Sequence, residues 1–186
     1  MTKQLKNWIK VPFSNRKLAV LVFTVLCTAV VSGFAQGETA FSIDNSPLPA
    51  STGFVNDFAN VIDPSTKDSL EKKLAAFKKT SNPSVEIAVV TVQTTGDRPI
   101  FDYSLAVARG WGIGSKESDN PSALLLVAVS ARKYFTQVSR DLEDELPDGL
   151  VGSLQRQYLV PEFRKGNYGK GISDTVDAFI RTIEAR

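Results

Sequence analysis

The chain has 186 residues, with 22 basic residues, 20 acidic residues, one cysteine and no histidine. This length fits one domain with short appendages better than two domains. The absence of histidine excludes Ser-His-Asp and Cys-His catalysis and ordinary zinc sites, so any bound metal would be a hard cation held by oxygen atoms.

The first 35 residues have the features of a secretory signal. Residues 1–17 contain five basic residues and no acidic residue, and residues 18–31 form an uncharged apolar run. Gly33 and Ala35 then give the small-x-small pattern of a signal-peptidase site. Because the run is shorter than the roughly 20 residues of a bilayer-spanning helix, cleavage is favoured over an uncleaved membrane anchor. We therefore predict a signal peptide over residues 1–35 and export to the periplasm or the exterior.

Loss of this leader changes the charge and the cysteine content. Residues 36–186 contain 17 basic and 20 acidic residues, a formal charge of −3, which gives no support for a nucleic-acid partner. The only cysteine, Cys27, lies in the apolar run. A lipoprotein signal would have a small residue before the cysteine, whereas Leu26 stands there, so we interpret Cys27 as an apolar filler.

Residues 36–53 lack hydrophobic periodicity and contain several glycines and prolines, so they are predicted to form a flexible linker before a domain over residues 54–186. Asp63 followed by Pro64 is typical of a helix start. Apolar residues then recur at helical spacing, at Leu70, Leu74 and Phe77. Asn82-Pro83 ends this helix.

Residues 85–92 are rich in β-branched side chains and predict a core strand. A second helix begins near Asp102, a candidate cap, and stops at Gly112. Its apolar face includes Trp111, which could be a ligand platform but fits a core position better.

Residues 123–129 form a continuous apolar run, typical of a strand that is buried on both faces. Residues 134–139 follow too closely for a crossover helix and should pair antiparallel with that strand. Two helices, at about 149–163 and 172–183, complete the chain. Helices alternating with strands predict a single α/β domain, a three-layer α/β/α sandwich with a mixed central sheet.

Five segments in this order resemble a known family: residues 55–62 (VNDFANVI), 109–114 (RGWGIG), 119–128 (DNPSALLLVA), 142–148 (LEDELPD) and 161–168 (PEFRKGNY). Together they are similar to the TPM domain, named for a thylakoid lumen protein, a photosystem II repair factor and a nematode acetylcholine-receptor modulator. The resemblance covers nearly all of residues 54–186. It implies an α/β/α sandwich that faces a lumen, the periplasm or the exterior.

The resemblance also implies binding of a divalent cation, usually Ca²⁺ with Mg²⁺ as the other candidate, by acids in separate loops. The candidate metal ligands are Asp57, Asp119, Asn120, Glu143 and Asp144. Calcium takes six to eight oxygen ligands, which carboxylates, an amide and main-chain carbonyls supply. The alternatives are a turn cap at Asp57, ordinary loop residues at 119–120 and a solvated acidic surface after the hairpin.

Two functions follow from this resemblance. The leading one is a non-enzymatic, calcium-responsive module of the cell envelope that assists the assembly, repair or regulation of membrane proteins. The alternative is a metal-dependent acid phosphatase acting on phosphomonoesters, an activity attributed to the thylakoid member. No phosphatase signature is visible, and catalytic residues are not assigned. Arg109 and Arg132 could contact a phosphate or an acidic partner, although surface ion pairs are commoner.

Overall fold

The computed structural model describes residues 41–114 and 120–186. Its centre is a four-stranded sheet in the order β1-β2-β3-β4, formed by Val55–Asp57, Glu86–Val92, Ser122–Ala128 and Lys133–Val138. The first three strands run parallel, and β4 pairs antiparallel with β3, with Leu126 opposite Phe135. Within the described ranges, no helix has the length and apolarity needed to cross a membrane.

Most helices cover one face of the sheet. They are α1 (Pro64–Thr80), α3 (Asp148–Leu154), α4 (Val160–Arg164) and α5 (Tyr168–Glu184). Alternate residues of β3 point to this face, where the fully buried Leu125 meets Leu74 of α1 and Phe179 of α5 in one core cluster. A side chain such as Leu125 stabilises the fold by about 1.5–3 kcal/mol through burial.

The other face is covered mainly by one helix, α2 (Ile100–Gly110). Leu124 and Leu126 of β3 pack there in a second cluster with Tyr103 and Val107 of α2. Helices therefore lie on both faces of a mixed sheet, and the predicted α/β/α sandwich is confirmed.

The segment from Phe41 to Gly53, which we call the strap, packs on the domain although it was predicted to be part of a flexible linker. Leu48 contacts the second cluster, and the Trp111 indole Nε1 donates to the Pro49 carbonyl at 2.9 Å. A Cβ on Gly110 would lie 2.2 Å from the Ser46 main-chain nitrogen, so only glycine allows this approach. All packing observed in the domain thus lies within residues 41–186, while residues 1–40, with the predicted signal, lie outside the described residues.

Several local predictions agree with the structure, and two details differ. Asp63 caps α1 by accepting the Thr66 N–H at 3.0 Å. Asp102, however, lies in the first turn of α2, and its capping position is occupied by Pro99. The helix expected at about 149–163 contains a π-helical turn, Gln155–Leu159, between α3 and α4. There the buried Gln155 side chain donates to the Thr136 hydroxyl at 2.8 Å.

Candidate functional site

The two ends of the sheet separate the residues that were predicted to bind one ion. The amino edge is where β1, β2 and β3 begin and β4 ends, and the carboxyl edge is the opposite end. Asp57 pairs with Thr91 near the end of β2, whereas Ser122 pairs with Glu86 at its start. At about 3.3 Å per residue, these positions are roughly 17 Å apart.

Asp57, at the carboxyl edge, is engaged by the protein itself. Its two carboxylate oxygens accept the main-chain N–H groups of Val61 at 3.2 Å and Ile62 at 2.9 Å. The Thr91 hydroxyl donates to the same carboxylate. Asp57 therefore fixes the loop between β1 and α1, which is the alternative role that the sequence left open for it.

Asn120, Glu143 and Asp144 lie at the amino edge. Asn120 is half-buried two residues before β3, and Glu143 and Asp144 are exposed after the 3₁₀ turn Arg140–Leu142. Two hydrogen bonds join these segments, because Ser122 N–H donates to Ser139 Oγ and Ser139 N–H donates to the Ser122 carbonyl, both at 2.8 Å. The structure thus does not bring Asp57 to these residues, and Asp119 lies outside the described residues.

Two buried oxygen atoms at this edge have no hydrogen-bond partner within the described part of the chain. They are Ser122 Oγ, on a side chain that is 3% exposed, and Glu145 Oε2. Buried polar atoms are nearly always paired in proteins, so each unpaired oxygen is informative. The alternation of β3 directs Ser122 to the face that α2 covers, whereas Glu145 lines a pocket beside the opposite face. Glu145 was not among the predicted ligands, because an acid within an acidic run carries no sequence signal that its oxygen is buried.

A pocket of about 440 Å³ lies at the same edge. Asp141, Glu145 and Glu184 contribute carboxylates to its lining, and Arg186 contributes a cation. The Arg186 guanidinium also donates to the Asp144 carbonyl at 3.0 Å, which ties the chain end to the acidic turn.

The donor set at the amino edge fits a hard cation better than a soft one. It consists of carboxylate, amide, hydroxyl and carbonyl oxygens, the ligands that Ca²⁺ and Mg²⁺ prefer. Among the described residues, no group of three or more acidic, histidine or cysteine side chains is assembled for a metal ion. The described residues therefore do not form a complete cation site on their own.

Two further residues singled out by the sequence have structural partners. Arg109 makes an ion pair with Asp44 of the strap at 2.9 Å, both side chains being well exposed. Trp111 packs on the second core cluster and hydrogen bonds to the strap. The surface-pair and core interpretations of these residues thus agree with the structure.

The fold and the amino edge describe one class of protein. It is a single α/β/α domain in which loops at one end of the sheet carry many oxygen-bearing side chains. The model of the TPM domain family matches residues 55–182. The chain therefore belongs to the TPM domain family, and the resemblance noted in the sequence is confirmed. No curated protein matches the chain significantly.

Several solved structures have a similar fold. The N-terminal domain of a P. gingivalis protein is 33% identical with a TM-score of 0.66, over 73% of this chain and 84% of that one. A protein from the psychrophilic Bizionia argentinensis is 16% identical, TM-score 0.56, over 67% and 82%. The N-terminal domain of a Corynebacterium glutamicum protein is 11% identical, TM-score 0.52, over 77% and 88%. The last two likenesses concern the fold alone.

Proposed function

We propose that this TPM-domain protein is exported and acts as a calcium-responsive, non-enzymatic module of the cell envelope, assisting the assembly, repair or regulation of membrane proteins. The leader over residues 1–35 supports export. The buried Glu145 Oε2, which has no partner among the described residues and belongs to a pocket lined by two other carboxylates, carries the cation-binding part of the proposal. Glu145 directly follows Glu143 and Asp144 in the sequence, two of the ligands that the resemblance implied.

The response to the ion follows from where these residues lie. Asn120 leads into β3, the most buried strand, and Glu143 to Glu145 follow β4, its antiparallel neighbour. A cation bound by both the segment before β3 and the segment after β4 would restrict the motion of these two segments. It would thereby change the surface that the amino edge offers to a partner. Ca²⁺ is preferred over Mg²⁺ because it accepts irregular arrangements of six to eight oxygens, whereas Mg²⁺ demands an octahedron.

Thermal unfolding of residues 36–186 tests the cation site. This fragment contains the whole packed unit, and the P. gingivalis relative was itself solved as a domain. With Ca²⁺ at 100 times its dissociation constant, we expect about 2.7 kcal/mol of added stability relative to excess chelator. Mg²⁺ at the same concentration should add less.

Charge-matched variants locate the site. Glu143→Gln with Asp144→Asn should abolish most of the calcium shift. Asp68→Asn with Asp97→Asn, which removes the same charge from exposed positions elsewhere, should leave the shift intact. Equal loss in both pairs would indicate nonspecific screening, and no shift in the parent protein would end the proposal.

The phosphatase alternative is tested on the same samples. An artificial phosphomonoester is assayed at acidic pH with calcium, with magnesium and with chelator. Turnover that requires the metal and disappears in a folded Asp119→Asn variant would favour the enzyme. The non-enzymatic proposal expects no turnover above that of a matched blank.

A further inference from the structure

The carboxyl edge carries a crevice with four cationic side chains, Arg132, Lys133, Arg164 and Lys165, which we call the basic crevice. Its volume is about 650 Å³, within the range of about 300–1,000 Å³ typical of small-molecule sites. The end of β3 forms its base. The β3–β4 hairpin lines one side, and α4 with the turn before α5 lines the other.

The charges of the basic crevice are mostly uncompensated. No carboxylate is among its lining residues, and in the described part of the chain only Lys165 of the four cations has an ion-pair partner, Glu162 at 2.8 Å. The Lys165 ammonium, followed by the Asn167 amide, lowers the pKa of Glu162, so this acid stays ionised. Arg132, Lys133 and Arg164 are exposed and concentrate positive charge on a domain whose formal charge is negative.

Arg132 lies in the turn of the β3–β4 hairpin, where its N–H donates to the Val129 carbonyl. Arg132 has a φ of 51°, in the left-handed region that favours glycine or asparagine. For another residue this conformation costs about 1–2 kcal/mol. An arginine in this turn therefore costs backbone energy, while its side chain adds a guanidinium to the crevice lining.

The rest of the lining is aromatic and apolar. The rings of Phe163 and Tyr168 lie 4.8 Å apart between centroids, and Tyr134 lines the crevice from the hairpin. Gly166, with a φ of 82°, ends the helical turn and allows the chain to reverse between these two rings. The crevice thus pairs a cationic group of side chains with a surface for a ring or a hydrocarbon.

We propose that the basic crevice binds a phosphate-bearing ligand, with the phosphate on Arg132, Lys133 and Arg164 and the attached apolar group against Phe163 and Tyr168. A phosphate monoester carries close to two negative charges and a phosphodiester headgroup carries one, and both accept paired hydrogen bonds from guanidinium groups. Three cations that have no carboxylate partner in the described ranges match a phosphate better than they match a single carboxylate. The phosphate comes either from a soluble organic phosphate or from the headgroup of an anionic phospholipid.

This inference does not rest on the proposed function. The basic crevice lies at the carboxyl edge, and the candidate cation residues lie at the amino edge. Failure of the calcium experiment therefore leaves the crevice proposal intact, and the reverse also holds.

Binding to residues 36–186 is measured with two probes, phenyl phosphate by calorimetry and vesicles by sedimentation. The vesicles contain phosphatidylglycerol, with pure phosphatidylcholine vesicles as the reference. We expect saturable binding of at least one phosphate probe. The variant Arg132→Asn with Arg164→Ala should weaken it about tenfold or more, since two charge-assisted contacts are lost and tenfold is only about 1.4 kcal/mol. Asparagine is chosen because it tolerates the left-handed conformation.

A matched control is Arg140→Ala with Arg156→Ala, which removes two exposed arginines that do not line the crevice. Binding should survive in this control. Phenyl phosphate binding would identify a soluble ligand, and binding to phosphatidylglycerol vesicles alone would identify a lipid headgroup. The proposal is overturned if neither probe binds or if both arginine pairs weaken binding equally.

Discussion

The two ends of the central sheet use charged residues differently, although the same strands form both ends. At the carboxyl edge, Asp57 accepts main-chain N–H groups, and most cations of the basic crevice have no ion-pair partner among the described residues. At the amino edge, Glu143 and Asp144 are exposed, and Glu145 keeps a buried oxygen without a partner in the described residues. An acid's role in this fold thus depends on whether local main-chain donors already satisfy it.

The strongest test of this contrast is Asp57→Ala. The substitution leaves the Val61 and Ile62 N–H groups and the Thr91 hydroxyl without their acceptor, so we expect a loss of about 2 kcal/mol in the free energy of unfolding. Chemical denaturation with and without calcium measures it. The calcium-dependent part should not change, and a variant that lost this part alone would return Asp57 to the metal site.

A smaller effect is expected at Glu71, which holds the start of β1. Its oxygens accept the N–H groups of Phe54 at 3.0 Å and Val55 at 2.8 Å. Glu71→Gln keeps one acceptor oxygen and should cost about 1 kcal/mol. The check is again the unfolding free energy, with Glu143→Gln as the comparison in the absence of calcium. If Glu143→Gln lowered the unfolding free energy more than Glu71→Gln does, the distinction between acids that accept main-chain N–H groups and exposed acids would be wrong.

The smallest expected effect is the pH dependence of the stability that Asp63 contributes. Hydrogen bonds from Ser65 and then Thr66 lower its pKa to about 2. Because the pKa of Asp63 is lower in the folded protein than in the unfolded chain, its ionised form stabilises the native state at pH values above the unfolded pKa. This contribution is lost as the pH falls through the folded pKa of about 2. The parent should thus be slightly more stable than Asp63→Ala at pH 6, with the gap narrowing below pH 4. A gap that widened on acidification would show that the cap does not depend on ionised Asp63.

The sequence was sufficient to predict an element where hydrophobic periodicity or side-chain hydrogen bonding acts over a few residues. The apolar run of β3 and the cap at Asp63 followed from spacing and from side-chain hydrogen bonding within a few residues. The separation of Asp57 from Asn120 was not predictable from spacing, because it depends on strand pairing across the sheet. A resemblance groups such acids by their recurrence and does not give the edge at which each one lies.

Other features depend on contacts that leave no local signature. The strap has the glycine and proline content of a linker, yet Leu48 packs against the second core cluster and the Pro49 carbonyl accepts a hydrogen bond from Trp111, 62 positions later. The π-helical turn begins at Gln155, whose buried side chain contacts Thr136 of β4, a residue 19 positions earlier. The sequence indicated Arg132 as a possible phosphate contact, but it did not predict the basic crevice, because the cations of the crevice come from two segments that the fold brings together.

The strap has a practical consequence for handling the protein. Trp111 is the only tryptophan after residue 35, and its indole donates to the Pro49 carbonyl. Its fluorescence is therefore a built-in reporter of whether residues 41–50 are docked. A fragment cut at the family boundary near Val55 would remove that partner, uncover apolar surface beside α2 and invite aggregation, so expression should begin before Phe41.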